Sequence, residues 1–558
     1  MRAPRWEHAG IGVSRDEKGF SEMYDYVIVG GGSAGCVLAA RLSEDPQVRV
    51  LLLEAGPSDS NDLIHIPAAF SALFRTDQDW DHSTVWESQL HNRRVYLPRG
   101  KMLGGSSSLN AMIYIRGNRA DYDEWRDEHG CSGWGFDEML PYFKRAEDNE
   151  RGADEFHGAG GPLSVTEGHA RTPMAELFLQ AARAYGLPDN EDFNGASQDG
   201  VGWYQVTHRN GARASTAVCY LHPVMDRPNL EVRTRHHALN LLFDGARAVG
   251  VAGTQGGGEP FQVRAEREVI VACGAYDSPR LLMYSGVGRS AELELLQIPV
   301  VAEAPEIGAN LQDHPNVGCV WLTDREDSLF GALNDENLAR FAQGEGPLTS
   351  NVAEAGGFLR TREGLDVPDI QLHFAGAVFA AEGLVPADAH GLALGACVLK
   401  PRSRGYVAIG SPDPTAKPII VHNYYDDADD MRTAVDGVRA VMEIARQHPL
   451  SECISATRFA PASDSDADIE EHVRCTTQTL YHPVGTCRMG SDATSVLDTE
   501  LRVRGVEGLR VVDASAMPTV PRGNTNAPTI ALAERAADLI RGRERVRPAS
   551  APRRRCRR

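Results

Sequence analysis

The alternation of apolar runs and glycine clusters near the start of the chain predicts a nucleotide-binding β-α-β unit. The β-branched run at residues 27–29 leads directly into Gly30-Gly-Gly-Ser-Ala-Gly35, and small residues at helical spacing follow. A second apolar run, residues 48–53, ends in Glu54. A glycine loop between a strand and a helix, with an acidic residue after the next strand, is the full context of a dinucleotide-binding motif.

Each position of this motif has a physical role in holding a dinucleotide. Gly30 permits the tight turn, Gly32 lets backbone amides approach a pyrophosphate, and Gly35 lets the helix pack closely on the strand. The N-terminus of that helix faces the anion. Glu54 can accept hydrogen bonds from a ribose, and its charge disfavours a 2′-phosphate. The motif alone leaves NAD and FAD both open.

The same residues also match a different class of enzyme. Gly31-x-Ser33-x-Gly35 fits the nucleophile elbow of α/β-hydrolases, which likewise lies between a strand and a helix, and many histidines follow it. That elbow normally comes after several strands, whereas this strand is the first. A hydrolase also gives no reason for Gly30 or Glu54.

The later pattern predicts a second, sheet-based region and a polar late loop. Alternation at residues 369–374 predicts a half-buried strand, residues 397–409 predict another, and residues 427–447 have helical spacing. Near the end, a strand at 509–512 leads to Asp513, and Asn526 stands as a natural cap of a helix that continues to residue 540. Earlier in the chain, Ser278 and Pro279 predict the start of another helix.

Composition and charge exclude several classes of protein. The chain has 558 residues, 42% hydrophobic, and a net charge of -20, which argues against general nucleic-acid binding. No apolar run is long enough to predict a membrane helix, and residues 1–22 lack the apolar core of a secretory signal. Ten scattered cysteines favour free thiols in a reducing cytosol. We expect a cytoplasmic protein, with the basic tail leaving peripheral membrane contact open.

Taken together, five segments in order resemble the glucose–methanol–choline (GMC) family of alcohol oxidoreductases. They are residues 30–54, 99–117, 274–288, 481–490 and 513–526. Within the family the chain is most similar to choline dehydrogenases and related bacterial alcohol dehydrogenases. The resemblance implies FAD rather than NAD, a small-molecule alcohol as substrate, and a quinone or other carrier as electron acceptor. It gives no oligomeric state.

The resemblance also implies an α/β fold with two domains. A discontinuous, Rossmann-like FAD-binding domain would comprise residues 23–160, 225–315 and 480–541. An α+β substrate-binding domain, built on an antiparallel sheet, would comprise residues 161–224 and 316–479. Residues 1–22 would be a disordered extension, and residues 542–558 a disordered basic tail.

The family's FAD contacts map onto named positions of this chain. The ADP end would lie on the first glycine loop, the flavin along residues 104–112, and the pyrophosphate near Asp513. In relatives such as choline oxidase a histidine of the second glycine loop is bonded to FAD, whereas the matching position here is Leu109. The resemblance therefore implies non-covalent FAD. The implied contacts are Gly30, Gly32, Ser33, Ala34, Gly35, Glu54, Ala55, Gly104, Gly105, Asn110, Ala111, Met112, Val232, Asp513, Ala514 and Asn526.

The family's catalytic pair maps to His482 and Asn524. Oxidising an alcohol removes the hydroxyl proton and transfers the α-carbon hydride to flavin N5. A neutral histidine can take that proton, and an asparagine can donate a hydrogen bond to the same oxygen without adding charge. The helix that begins near Asn526 would supply partial positive charge beside the flavin ring.

Several alternatives remain at this stage. An oxidase that reduces dioxygen and a non-redox hydroxynitrile lyase share the implied fold. Glu354 is a possible ligand for a cationic head group, although its motif is generic to the family. The adjacent His236 and His237 have no carboxylate or cysteine at ligand spacing, so we expect them to be structural and predict no metal site.

Overall fold

The computed structural model describes residues 23–380 and 383–543. The predicted extension at 1–22 lies outside the described residues, as does the basic tail apart from residues 542 and 543. In the described ranges the α-helices are Ser33–Leu42, Asp62–His65, Arg119–Asp127, Phe136–Ala146, Pro173–Tyr185, Gly274–Tyr284, Ser290–Leu295, Asp335–Phe341, Ala428–Ala445, Asp466–Thr476 and Asn526–Ile540.

A mixed seven-stranded sheet contains the first glycine motif. Its neighbouring strands are, in order, Leu230–Arg233, Val50–Leu53, Met23–Val29, Glu259–Val271, Arg247–Gln255 and His236–Asp244, and Leu509–Val511 pairs with Glu259–Val271. The first four strands and Leu509–Val511 are parallel, whereas the last two join as antiparallel hairpins. The carboxyl ends of the parallel strands therefore meet at one edge, where α/β sheets bind ligands.

A second seven-stranded sheet is antiparallel throughout. Its order is Ala456–Phe459, Pro315–Leu322, Gly391–Val398, Ile370–Ala375, Ala355–Leu359 and Gly200–Trp203, with Gln478–Thr479 pairing with Pro315–Leu322. The mixed parallel sheet and this antiparallel sheet confirm the predicted fold class.

Five smaller sheets accompany the two large ones in the described residues. Glu147–Asn149, Leu163–Glu167 and Gln205–Val206 form three strands. Two-stranded pairs join His208–Arg209 with Ala212–Arg213, His82–Ser83 with Tyr96–Leu97, Val287–Gly288 with Ala302–Glu303, and Tyr406–Ala408 with Ile419–Val421.

Three predicted elements differ from the structure. Ile370–Ala375 is almost wholly buried rather than half-buried, because the helix Ala428–Ala445 packs against the sheet. The strand predicted at 397–409 is two strands of different sheets, Gly391–Val398 and Tyr406–Ala408. The helix predicted to start at Pro279 begins at Gly274 and carries that proline inside it.

Candidate active site

A continuous cavity contains residues of both large sheets in its wall. One part is lined by Val29, Leu53 and Ala272, which lie at the carboxyl ends of three parallel strands or directly after them. Another part is lined by His373 and Gly395 of the antiparallel sheet. The cavity therefore connects the edge where a dinucleotide is expected with a separate chamber.

The first glycine loop is shaped to meet an anion. The helix Ser33–Leu42 begins after Gly32 with no side-chain cap, so its first backbone N–H groups are free to bind a ligand. Gly30 has φ +104°, and a Cβ there would lie 2.5 Å from the Ala272 carbonyl oxygen. A Cβ on Gly35 would lie 1.9 Å from the Gly30 oxygen. Larger side chains cannot occupy these two positions, and the loop fits a pyrophosphate.

Glu54 is held rigidly at the end of its strand. One carboxylate oxygen accepts a hydrogen bond from Gly31 N and the other from Gly56 N, both at 2.8 Å. Burial raises the pKa of Glu54 to about 7, although these N–H groups act in the opposite direction. Each oxygen can still accept a further hydrogen bond, which fits the role predicted for a ribose.

The last helix closes the same site from the other end of the chain. Asn526 is the first residue of that helix, so the prediction that it is the cap is wrong; Thr525 precedes the helix. Asn526 Nδ2 instead donates to Ser33 Oγ at 2.8 Å. Asp513 accepts hydrogen bonds from Gly274 N at 2.9 Å and Ser278 Oγ at 2.5 Å, so the predicted cap Ser278 binds a carboxylate instead.

The second glycine loop contacts the first one. The short 3-10 helix Gly105–Ser108 follows Gly104, and a Cβ on Gly105 would lie 2.6 Å from Gly32 Cα. Only glycine permits this close approach of two backbones. Leu109, the residue in place of the bonded histidine, lies in the cavity wall.

The structure brings most of the predicted contacts together. The cavity wall contains His482, Asn524, Gly30, Gly32, Ser33, Ala34, Glu54, Ala55, Gly105, Asn110, Ala111, Met112, Asp513, Ala514 and Asn526. Gly35, Gly104 and Val232 lie outside it. Gly35 packs against the Gly30 backbone, Gly104 has φ +84° and donates its N–H to the Gly31 carbonyl at 2.8 Å, and Val232 lies within a strand that pairs with Val50–Leu53.

The sequence analysis missed other residues of the wall. Trp80, Arg280 and the histidines at 236 and 237, predicted to be structural, all line the cavity. The backbone N–H of His236 donates to the Glu54 carbonyl at 2.8 Å, a contact between segments far apart in sequence that no local pattern predicts. Each of these residues reaches the cavity through pairing of distant segments.

His482 and Asn524 face each other in the wall. Asn524 Nδ2 lies 3.3 Å from His482 Nε2, and His482 Nδ1 lies 2.9 Å from His314 Nδ1. The two histidine rings are almost perpendicular. Asp313 Oδ1 accepts a hydrogen bond from His482 N at 2.8 Å and fixes the backbone beside the ring.

The backbone carbonyl of Leu399 determines where the histidine protons lie. A carbonyl only accepts, so His314 Nε2, 2.9 Å away, must donate to it. A neutral imidazole carries one proton, so His314 Nδ1 has a lone pair and accepts from His482 Nδ1–H. His482 Nε2 is left with a lone pair directed at Asn524.

A second, independent chain of hydrogen bonds gives the same result. Tyr204 donates its hydroxyl proton to the Leu372 carbonyl at 2.6 Å, so its oxygen accepts from Gln371 Nε2 at 3.1 Å. Gln371 Nε2 also donates to Asn524 Oδ1 at 3.2 Å. Asn524 therefore turns its Nδ2 donor, not its oxygen, toward His482 Nε2.

Burial keeps both histidines neutral near pH 7. It lowers the pKa of His482 well below 6.5, and positive charge on His314, His373 or Arg99 acts in the same direction. Burial also lowers the pKa of His314 to about 4. His482 is thus a neutral imidazole with an available lone pair, which is the form required of a general base.

The chamber beyond His482 has a largely apolar wall. Phe70 lies at ring-centroid distances of 5.9 Å from Phe74 and 6.2 Å from Phe379. Val352, Ala375 and Leu480 also line the cavity. This surface suits the carbon skeleton of a small organic molecule.

Glu354 does not line this chamber. One carboxylate oxygen accepts from Ser350 Oγ at 2.5 Å, and the other accepts from both Thr172 N and Thr172 Oγ1 at 2.8 Å. Its hydrogen bonds join two loops. The alternative in which Glu354 binds a cationic head group therefore has no support from its position.

Two parts of one protein family match most of this chain. The family described as GMC oxidoreductase matches residues 24–316 with its N-terminal part and residues 401–533 with its C-terminal part. The chain belongs to the GMC oxidoreductase family. Its cofactor is therefore FAD, and the free helix N-terminus, the paired glycine loops and Glu54 fit that cofactor.

Relatives in this family share nearly the whole chain. An alcohol dehydrogenase [acceptor] of Pseudomonas putida is 42% identical over 93% of this chain and 96% of its own length. Human mitochondrial choline dehydrogenase is 42% identical over 95% of this chain and 90% of its own. The solved FAD-dependent oxidoreductase of Chaetomium thermophilum has a TM-score of 0.84 and 28% identity, covering 93% of this chain and 99% of that one.

The described residues contain no helix that is both long enough and apolar enough to cross a membrane.

Proposed function

We propose that this enzyme oxidises the CH–OH group of an alcohol to a carbonyl, with His482 as the base and Asn524 as the hydrogen-bond donor to the reacting oxygen. The observation that carries the proposal is the fixed lone pair on His482 Nε2, which faces Asn524 in the cavity wall. Bound FAD supplies the acceptor for the hydride.

The chain's own residues handle the substrate oxygen and its proton. An alcohol hydroxyl placed between His482 and Asn524 donates its proton toward His482 Nε2 and accepts a hydrogen bond from Asn524 Nδ2. Transfer of that proton leaves negative charge on the oxygen, which the Asn524 donor stabilises. The apolar wall formed by Phe70 and Phe379 excludes water from the carbon skeleton.

The residues predicted to hold FAD are proposed to do so without a covalent bond. Leu109 has no nucleophilic atom to join to the flavin. Glu54 is proposed to bind the ribose, the helix that begins at Ser33 the pyrophosphate, and Asp513 and Asn526 the segment between pyrophosphate and flavin. Val232 is proposed to pack near the adenine, one strand from Val50–Leu53.

The electron acceptor is proposed to be a quinone or another carrier rather than dioxygen. The named acceptor-dependent alcohol dehydrogenase relative supports this choice. Mixing the alcohol-reduced enzyme with air-saturated buffer in a stopped-flow instrument tests it. Slow return of the oxidised-flavin spectrum is expected, and return within seconds would establish an oxidase.

Replacing His482 by Ala tests the chemistry. We expect flavin reduction by the best alcohol of an anaerobic panel to slow by about 10²- to 10⁴-fold, the usual contribution of a general base, while FAD stays bound. The panel should contain choline with aliphatic and aryl alcohols. Reduction at the wild-type rate in the His482 variant would overturn the assignment. A wild-type protein whose flavin no alcohol reduces would favour the lyase alternative.

A further inference from the structure

We propose that His314 is a positioning residue that holds His482 in the tautomer required for proton abstraction. This inference rests on the proposed function, because it concerns how the proposed base is prepared. His314 is completely buried and directly precedes the strand Pro315–Leu322, distant in sequence from His482.

The physical need for such a residue follows from imidazole chemistry. A neutral histidine can carry its proton on either ring nitrogen, and the hydrogen bond made by one nitrogen decides the form of the other. With the proton on Nε2, His482 could not take a proton from the alcohol at that atom. An acceptor at Nδ1 is therefore required.

His314 provides this acceptor because its own tautomer is fixed. Its Nε2–H is committed to the Leu399 carbonyl at 2.9 Å, so its Nδ1 lone pair faces His482 Nδ1 at 2.9 Å. Both distances are those of ordinary hydrogen bonds. His482 therefore donates to His314, and His314 donates to the Leu399 carbonyl, so every donor in this chain has an acceptor.

The arrangement also tolerates the product of proton transfer. When the alcohol proton moves to His482 Nε2, the resulting imidazolium keeps its Nδ1–H bond to His314. No proton moves to His314, and the carbon-bound hydride leaves with its electron pair to bound FAD. The alcohol has then lost one proton and one hydride and is a carbonyl.

His314 differs from a carboxylate in the same position. A neutral acceptor orients His482 without a negative charge that would raise the pKa of the base. His482 therefore remains neutral in the ground state, ready to accept the substrate proton. Burial of the pair has the same effect.

Two substitutions separate positioning from simple packing. His314→Leu removes the acceptor, and we expect the rate constant for anaerobic flavin reduction to fall by about 10²- to 10⁴-fold, the usual contribution of general-base catalysis; the upper end of that range equals the loss of about 10⁴-fold seen when a histidine base adopts the wrong tautomer. The apparent affinity for the alcohol should change little. His314→Asn retains a side-chain oxygen that can accept a hydrogen bond from His482. Its rate constant for flavin reduction should be at least tenfold higher than that of His314→Leu.

A matched control is available at another buried histidine. His208 is also completely buried, and neither of its ring nitrogens has a hydrogen bond within the described residues. His208→Leu makes the same change of side chain away from His482. It should leave flavin reduction within about threefold of wild type, so equal losses at positions 208 and 314 would overturn the positioning role.

A spectroscopic measurement covers the case in which the His314 variants do not fold. Long-range ¹H–¹⁵N spectra of ¹⁵N-histidine-labelled holoenzyme report which ring nitrogen carries the proton, and His482→Gln identifies the signal. We expect the proton on Nδ1 of His482. A proton on Nε2 would refute the inference even if His482 proves to be the base, whereas wild-type flavin that no alcohol reduces would refute the proposed function instead.

Discussion

At the scale of single residues, the candidate base is defined by its surroundings more than by its own identity. The chain has 18 histidines, and two chains of hydrogen bonds leave His482 Nε2 with a lone pair directed at Asn524. The sequence motif predicted His482 and Asn524. It did not predict His314 or Gln371, because their contacts join segments more than 150 positions apart.

The low pKa of His482 predicts an unusual pH profile. The neutral form is active, so the rate falls as pH drops through the pKa of the base. Burial, together with the electrostatic influence of His314, His373 and Arg99, places that pKa well below 6.5. Flavin reduction at low alcohol concentration should therefore stay constant from pH 8 to about 6.5, the ordinary histidine value.

Anaerobic stopped-flow measurements across this range check the profile. A tenfold loss per pH unit is expected only at more acidic pH. An acid limb centred above pH 6.5 would mean that another group governs proton transfer, or that bound FAD raises the pKa of His482.

Because residue 109 is a leucine, we expect the flavin to be released when the protein is denatured. A leucine side chain lies in the cavity wall where relatives carry the bonded histidine, and its alkyl carbons cannot form the link. After precipitation with acid and centrifugation, the yellow colour should remain in the supernatant. Flavin that pellets with the protein, and fluoresces on a denaturing gel, would show a bond to some other residue.

At the scale of elements, one buried carboxylate holds three helices together. Glu534 in the last helix accepts hydrogen bonds from Arg41 of Ser33–Leu42 and ion-pairs with Arg145 of Phe136–Ala146, at 2.8 Å in each case. Tyr220 donates to the same carboxylate at 2.9 Å. The first helix, whose N-terminal residues Ser33 and Ala34 line the cavity, is thereby fixed against the last.

Glu534→Gln should destabilise the protein by about 1–3 kcal/mol, because it removes the buried charge that accepts hydrogen bonds from Arg41 and Arg145, although these partly exposed arginines keep Glu44 and Asp538 as second partners. Urea denaturation followed by far-UV circular dichroism gives the change. Glu452→Gln, in an exposed pair with His448, is the control and should alter stability by less than about 0.5 kcal/mol. Equal effects at the two positions would contradict the clamping role.

Some elements could be predicted from the sequence and others could not. The strand–loop–helix around Gly30 followed from local pattern, because glycine spacing and apolar runs act within a few residues. The helix caps could not be predicted in this way. Asn526 and Ser278 have side chains typical of helix caps, yet each forms a hydrogen bond with a residue far along the chain instead. A short polar side chain satisfies either role, and only the tertiary structure decides between them.

At the scale of the whole molecule, the cofactor cavity shares its wall between the two large sheets. The sequence predicted a two-domain α/β protein, and the resemblance carried by five ordered motifs gave its family. The sequence could not predict that His236, His237 and Trp80 line the cavity, since no local pattern distinguishes a cavity wall from a packed core.

A ligand that contacts both sheets should stabilise the molecule as a unit. Binding only to the native state adds about 2.7 kcal/mol when free FAD is one hundred times its dissociation constant. Protein stripped of flavin should therefore melt at a lower temperature, and added FAD should raise the midpoint progressively. Differential scanning calorimetry with and without FAD measures this, and an unchanged midpoint would show that FAD is not bound natively.

The hydrogen bond from Asn526 to Ser33 joins residues 493 positions apart. It has a consequence for synthesis. The glycine loop therefore leaves the ribosome nearly five hundred residues before Asn526, which lies in the opposite wall of the cavity. We expect cofactor loading to wait until that late segment has been synthesised, so that the nascent glycine loop remains without flavin for most of the intervening translation.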